Sequence, residues 1–529
     1  MSLALANARL LLATVALLIP MACSGGDSKN SPDAGIVIDA SVVQEVDAAS
    51  VAPVVETVAC RYDVPQSLGL AEGAGYECGD LLVPENRDTQ RGSIRVHFVR
   101  FFSQAASNNA TIYFEGGPGG NGGNMVRRLG ILGQDYLSGL MVDGDFLVIA
   151  QRGTSLSVPA LDCDDVFDCS QISDDLPAYN TAYNADDVED LRSTLGYEQL
   201  NIYGISYGSR SALEVLRRHG DHIRSAVVGG LVPSQVIWAA GIPAAFYGAL
   251  TNLNDSCEAD GACGTAYGDL YSDFVSGVYD LVENPISLDN GAIVLDGYTY
   301  SSLVFQLMYS RSSYPWLPMV ISDLADRQTS RIETFLVNAI NASGSSSVSY
   351  GMYYSVVCGE MFSPPVPGAF EAMNAGVPQD MQDIFGGGYF YSLDKCSSWP
   401  NGTMQASLSE PVTSAVPTFV ASGEMDPVTP PSYGQAAADY LSDSLVVIYA
   451  NSGHGATVQT ECGRQTFLAF LADPNTAMDV SCAETQTTTY VLPSVAPLAQ
   501  VSQETLALDM QLNPAPPEIL EAIRRAIRN

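Results

Sequence analysis

The chain has 529 residues, 47% of them hydrophobic and 16% charged, a balance that supports a large buried core and excludes an intrinsically disordered protein. A formal net charge of −36 would repel phosphate backbones and anionic lipid headgroups, so a nucleic-acid partner is excluded as a reading of the composition. The length fits one large domain with an insertion, or two to three smaller domains.

The chain opens like an export signal. Arg9 precedes an apolar run, Leu10 to Met21, which is too short to span a bilayer and the right size for a signal-peptide core. It stops at Ala22-Cys23 before a polar, glycine-rich stretch, an arrangement that resembles a bacterial lipoprotein signal with Cys23 as the lipid anchor. Pro20 stands where such signals usually carry leucine, and plain secretion is the alternative. Residues 24–58 are rich in Ala, Asp, Ser and Val without a steady period, which reads as a flexible tether.

Setting Cys23 aside, ten of the 11 cysteines remain, and they fall as five sequential neighbours from Cys60 to Cys482. Local disulfides in an oxidising compartment are the simplest expectation, although spacing alone does not fix connectivity. A metal site is the weaker alternative, since there is no CxxC pair and only four histidines. Nothing in the sequence calls for a cofactor.

From Ser93 onward, strands and helices alternate. SIRVHFVRF (Ser93 to Phe101) alternates like a strand with one face buried, and ATIYF and DFLVI are short β-rich runs that end in glycine clusters. ADDVEDLRSTL reads as a helix closed by Gly196, QLNIYGIS as a strand, YGSRSALEVLRRH as a helix and IRSAVVGG as the next strand. Such alternation predicts parallel strands with crossover helices, an α/β fold.

Within that pattern, Gly204-x-Ser206-x-Gly208 lies where a strand ends and a helix begins, the position of a nucleophile elbow. The turn is so tight that its flanking residues must be small. The amide of Tyr207, at the new helix N-terminus, then faces a developing oxyanion. A serine hydroxyl needs a base. His97 lies inside the early strand, and His219 and His222 lie past the helix that Ser206 starts, roughly 18 Å along it at about 1.5 Å per residue. His454, in a glycine-flanked loop after the strand SLVVIY, remains as the base. Asp426, just past the strand VPTFVASG, is the orienting acid, with Glu424 as its rival. The order Ser206, Asp426, His454 is that of the α/β-hydrolase fold.

GGPGG (Gly116 to Gly120), QRGTS (Gln151 to Ser155), GISYG, GEMDPVTPP and GHG, occurring in order between about Cys60 and Pro474, resemble the serine peptidases of the prolyl iminopeptidase and tripeptidyl aminopeptidase group. The resemblance implies an α/β-hydrolase fold with a mostly parallel sheet, flanking helices and an inserted, largely helical cap. It also implies a tripeptidyl aminopeptidase-like C-terminal region and a second oxyanion donor at the amide of Gly117. Glu115 stands where many iminopeptidases have histidine, and Ala150 where many relatives have aspartate, which leaves substrate preference open.

The expected organisation is a signal over 1–23, a tether over 24–58, core over 59–232 and 412–482, a cap over 233–411 and a tail over 483–529. The cap holds all three Trp and many Tyr, more often cap core than substrate contacts. An enzyme cutting from an N-terminus needs a carboxylate to hold the substrate ammonium. Glu360 resembles the cap acid that fills this role in the family, against the plainer reading of a solvated surface Glu. The tail ends in an amphipathic run, PPEILEAIRRAIRN. The residues therefore point first to an exported aminopeptidase releasing short N-terminal peptides. An esterase or lipase sharing the triad is the alternative, and a non-catalytic binding protein on a hydrolase scaffold the third reading.

Overall fold

The computed structural model describes residues 52–105, 107–163, 169, 171–172, 174–342, 348–362, 365–400 and 405–493. The expected signal with Cys23, most of the tether and the final amphipathic run lie outside these residues.

Nine strands form the central sheet: β1 (Val54–Thr57), β2 (Tyr76–Asn86), β3 (Arg91–Phe101), β4 (Ala110–Phe114), β5 (Asp145–Ile149), β6 (Leu200–Ile205), β7 (Ile223–Gly229), and, after the short cap hairpin β8 (Ile286–Leu288) and β9 (Ile293–Leu295), β10 (Thr418–Gly423) and β11 (Ser444–Tyr449). Their order across the sheet is β1-β2-β3-β5-β4-β6-β7-β10-β11, with the first three pairings antiparallel and the remaining five parallel. The stretch expected to be tether is shorter than its composition suggested, because Val54–Thr57 pairs antiparallel with Gly79–Leu82 as the edge strand. The β-branched run Val54-Val55 supplies the strand propensity.

Helices α1 (Gly123–Leu140), α2 (Thr181–Leu195) and α3 (Tyr207–His219) connect the first parallel strands. Helix α2 begins four residues before ADDVEDLRSTL, at a cap where the Asn180 side chain accepts from the Tyr183 amide, and ends at Gly196 with φ 78°. Helix α3 carries Arg217, Arg218 and His219 in its last turn, where cations complement the helix dipole.

Alternation along the strands gives the sheet two apolar faces. Tyr113, Tyr203, Val227 and Phe419 face α1 and the helix Glu461–Ala472; Ile112, Ile202, Val228 and Val420 face α2 and α3. Both faces are covered, as a mostly parallel sheet requires.

The inserted region is largely helical and has a core of its own. Phe246, Phe274, Phe305 and Phe385 cluster with ring centroids as close as 4.2 Å, and Trp238 is buried in the same core. Among the described residues five disulfides form, each between sequential cysteines: Cys60–Cys78, Cys163–Cys169, Cys257–Cys263, Cys358–Cys396 and Cys462–Cys482. Such disulfide density fits an extracellular or envelope protein. Among the described residues no helix is long and apolar enough to cross a membrane.

Strand register fixes where the loops emerge. Phe114 pairs with Gly204, Ile205 with Gly229, Ala421 with Gly229 and Gly423 with Tyr449. The segments after β4, β6, β7, β10 and β11 therefore leave the sheet at one edge, the carboxyl end of its parallel strands, where α/β sheets hold their sites.

Candidate active site

Ser206 sits between β6 and α3 with φ 60° and ψ −129°, a conformation in which a non-glycine residue is strained. A Cβ on Gly204 would lie 2.1 Å from the Gly208 carbonyl oxygen, and one on Gly208 would lie 2.2 Å from that of Phe114. The small flanks are thus demanded by backbone approaching backbone. The Ser206 amide donates to the Gly229 carbonyl at 2.9 Å, anchoring the turn to β7.

Asp426 and His454 meet at the ends of β10 and β11. His454 Nδ1 is 2.8 Å from Asp426 Oδ2. The carboxylate also accepts from the amides of Val428 and Thr429 at 3.0 and 2.9 Å and from the Thr429 hydroxyl at 2.7 Å. With Nδ1–H donating to Asp426, the imidazole presents Nε2 as an acceptor. Asp426 is 1% exposed and His454 6%. The rival acid, Glu424, instead accepts from the Asn451 amide at 2.9 Å.

The imidazole is placed beside the nucleophile turn by Gly230, where an added Cβ would lie 3.0 Å from His454 Cε1, one residue after the carbonyl that holds the Ser206 amide. Among the described residues Ser206 Oγ makes no hydrogen bond to the imidazole. The Tyr309 ring lies 4.9 Å from the imidazole, and its carbonyl accepts from the His454 amide at 3.0 Å.

Gly117 has φ 119°, open only to glycine, in the loop that follows β4. A cavity of about 10 Å³ brings Gly117, Ser206 and Tyr207 together with Val428 and Thr429, under a roof of Tyr309 and Trp238 from the cap. That is room for about one water molecule. Among the described residues its walls carry no carboxylate or cation.

The other histidines are engaged elsewhere. His219 Nε2 meets Asp186 at 2.8 Å and His222 meets Glu189 at 2.9 Å, the first at the far end of α3 and the second three residues past it. His97 is fully buried against Asp80 at 2.9 Å, and its pKa is lowered, chiefly by that burial. Among the described residues the one trio of potential metal ligands is Cys60, Cys78 and His97, and both sulfurs are already joined in the disulfide.

Glu360 is not on the surface. It is 5% exposed, in the π-helical turn Val357–Met361 at the end of a cap helix. One carboxylate oxygen accepts from the Thr181 amide at 2.7 Å and the other from Arg210 Nε at 3.1 Å. Both are committed within the protein, and the plainer reading as a solvated residue is overturned. Sequence reasoning missed Arg210, Thr181 and Thr429. Thr429 sits within GEMDPVTPP, three residues past Asp426, but its contact with the acid depends on how the prolines fold the loop.

Residues 112–247 match the family described as alpha/beta hydrolase fold, and residues 382–522 match that described as TAP-like protein. Together with the sheet order and the loop edge, these matches give the chain the α/β-hydrolase fold. The C-terminal part of the chain, residues 382–522, is similar to the TAP-like protein family.

Solved structures similar to the chain include MGS-M2, an alpha/beta hydrolase enzyme from a Medee basin deep-sea metagenome library, at 15% identity, covering 73% of this chain and 96% of that one with a TM-score of 0.36. A thermophilic esterase from Thermogutta terrifontis is 14% identical, covering 73% and 96%, with a TM-score of 0.34. A serine hydrolase from Cycloclasticus zankles is 14% identical, covering 75% and 96%, with a TM-score of 0.31. No curated protein matches the chain.

Proposed function

We propose that this α/β-hydrolase is an exported serine hydrolase that releases short peptides or single residues from the N-termini of peptide substrates. The observation that carries the catalytic part is the buried Asp426–His454 pair at 2.8 Å, at the same sheet edge as the strained Ser206 turn. The TAP-like match supports the peptide substrate.

In this reading Ser206 Oγ attacks the carbonyl carbon as its proton passes to His454 Nε2, and Asp426 stabilises the imidazolium that forms. The amides of Tyr207 and Gly117 donate to the oxyanion. The imidazolium then protonates the leaving amine as the C–N bond breaks. Water, deprotonated by the same imidazole, hydrolyses the acyl-enzyme. Export would begin at the N-terminal signal, with Cys23 as a lipid anchor.

One observation favours an esterase as the second reading. Glu360 is bound to Arg210, and among the described residues that line the cavity beside Ser206 none carries a carboxylate to hold a substrate ammonium. The test is labelling by a fluorophosphonate, followed by rates on tripeptidyl and aminoacyl anilides against short acyl esters. Labelling that is lost in Ser206→Ala, with anilides cleaved, supports the aminopeptidase. Ester cleavage alone selects the esterase, and a folded protein that takes no label and turns over nothing sinks the catalytic reading.

A further inference from the structure

Arg210 lies four residues after Ser206, about one turn along α3, and is 1% exposed. Its guanidinium binds the inserted region at three places. Nη1 donates to the carbonyls of Pro233 and Ser234 at 3.1 and 3.0 Å, where the chain leaves the core for the cap. Nη2 donates to the Leu408 carbonyl at 2.7 Å, where the chain returns. Nε meets Glu360, from the middle of the insertion, at 3.1 Å. One side chain on the nucleophile helix thus holds both hinges of the cap and a carboxylate within it. The Cys358–Cys396 disulfide, two residues from Glu360, ties the π-helical turn to the helix Gly387–Ser398 and leaves that carboxylate little freedom.

From Glu360 a buried polar chain runs to both oxyanion donors. The Thr181 amide donates to Glu360, and the Thr181 hydroxyl is 2.9 Å from the Tyr207 hydroxyl. Asn184 Nδ2 donates to that hydroxyl at 3.2 Å and to Gln151 Oε1 at 3.0 Å, and Gln151 Nε2 donates to the Glu115 carbonyl at 3.0 Å. Glu115 begins the loop that carries Gly117, and Tyr207 supplies the other amide. Every side chain in this path is at most 5% exposed, so a broken link leaves a buried polar group without a partner.

We propose that Glu360 and Arg210 are positioning residues that seat the cap on the nucleophile helix and thereby hold the amides of Tyr207 and Gly117 where the oxyanion forms. The inference rests on Ser206 being the nucleophile. It assigns Glu360 a role in every acyl transfer the site performs, whether or not the substrate carries an amine, and so differs from an ammonium-binding role.

That difference sets the experiment. Glu360→Gln and Arg210→Lys are compared with wild type on p-nitrophenyl acetate, which has no amine, and on a peptidyl anilide with a free and with an acetylated N-terminus. Fluorophosphonate labelling rates and thermal unfolding are measured alongside. A misplaced oxyanion donor lowers kcat by about tenfold or more on all three substrates, slows labelling in step, and changes KM by less than about twofold. The double variant Glu360→Gln/Arg210→Lys loses no more than the worse single, because the two act as a unit. A loss confined to the free-amine substrate and carried in KM overturns the proposal in favour of ammonium binding. Unchanged kcat overturns it outright. If the charge variants do not fold, Thr181→Val decides, since it cuts the hydroxyl link and keeps the ion pair: lowered kcat on p-nitrophenyl acetate supports the proposal, wild-type kcat overturns it. Wild type that takes no label sinks the nucleophile reading itself, which separates that failure from this one.

Discussion

Asp426 Oδ2 accepts from two groups at once, His454 Nδ1 at 2.8 Å and the Thr429 hydroxyl at 2.7 Å, while Oδ1 takes two backbone amides. Four donors on one carboxylate fix its plane, and so fix the orientation of the imidazole that Nδ1 ties to it. Asp426→Asn would keep the shape but turn an acceptor into a donor opposite Nδ1, favouring the wrong tautomer. We expect kcat on an activated ester to fall roughly 10⁴-fold with the unfolding midpoint little changed. Glu424→Gln, at a carboxylate that accepts from the Asn451 amide and not from His454, should keep activity near wild type.

Thr429→Val tests the support for that acid. It removes one hydrogen bond to Oδ2 and leaves the amides in place, so the expected loss in kcat/KM is about 1 kcal/mol, roughly fivefold. A loss as large as that of Asp426→Asn would show that Thr429 takes part more directly than its geometry implies.

The reasons for what was legible in the sequence lie in particular residues. The strands β4 to β7, the helices α2 and α3, and the placement of Ser206, Asp426 and His454 at one edge all rest on local signals: alternation, a glycine stop at Gly196, and glycines at 204 and 208. The edge strand Val54–Thr57 was hidden, because four residues inside an Ala- and Asp-rich stretch carry no period long enough to read. The burial of Glu360 was hidden because its partners, Thr181 and Arg210, are 179 and 150 residues away in sequence. A buried ion pair has no local signature. Arg210 looks in sequence like any polar residue on an amphipathic helix; only the return of the cap to α3 makes it a buried one.

The elbow gives a steric prediction. Gly208→Ala would drive a methyl group to 2.2 Å from the Phe114 carbonyl, a backbone atom that cannot swing aside. The strand end or the helix start must shift, at a cost of about 1–3 kcal/mol. Chemical denaturation should register the loss, and fluorophosphonate labelling should slow, because the Tyr207 amide and Ser206 Oγ move with the turn. Labelling at the wild-type rate would mean that the turn tolerates a side chain there.

A second buried ion pair bears on stability alone. Arg152, fully buried, donates from Nε to Asp187 Oδ2 at 2.8 Å and from Nη2 to Oδ1 at 2.6 Å, and Arg87 also binds this carboxylate. Asp187→Ala strands a buried guanidinium and should destabilise the fold by about 3–5 kcal/mol, read as a lower denaturant midpoint. Arg152 stacks on the Tyr183 ring at 5.1 Å, which keeps part of the packing when the charge partner is lost.

Acid stability turns on Asp186. Burial raises the pKa of its carboxyl, but hydrogen bonds from His219 and Arg218 and the charge of Arg218 outweigh it, leaving the group lowered from 3.8 to about 2. A carboxyl depressed in the folded state contributes stability that is fully present above its unfolded pKa and is lost as pH falls through the folded value. The window therefore runs from about pH 4 down to about pH 2, and the shift corresponds to about 2 kcal/mol at neutral pH. Asp186→Asn should lower unfolding free energy by that amount at pH 7 and by only about 0.4 kcal/mol at pH 2, where the folded group is half ionised, when both are measured by urea denaturation across the range. A deficit that persists undiminished at pH 2 would assign the effect to lost packing at the end of α3 instead of to the charge.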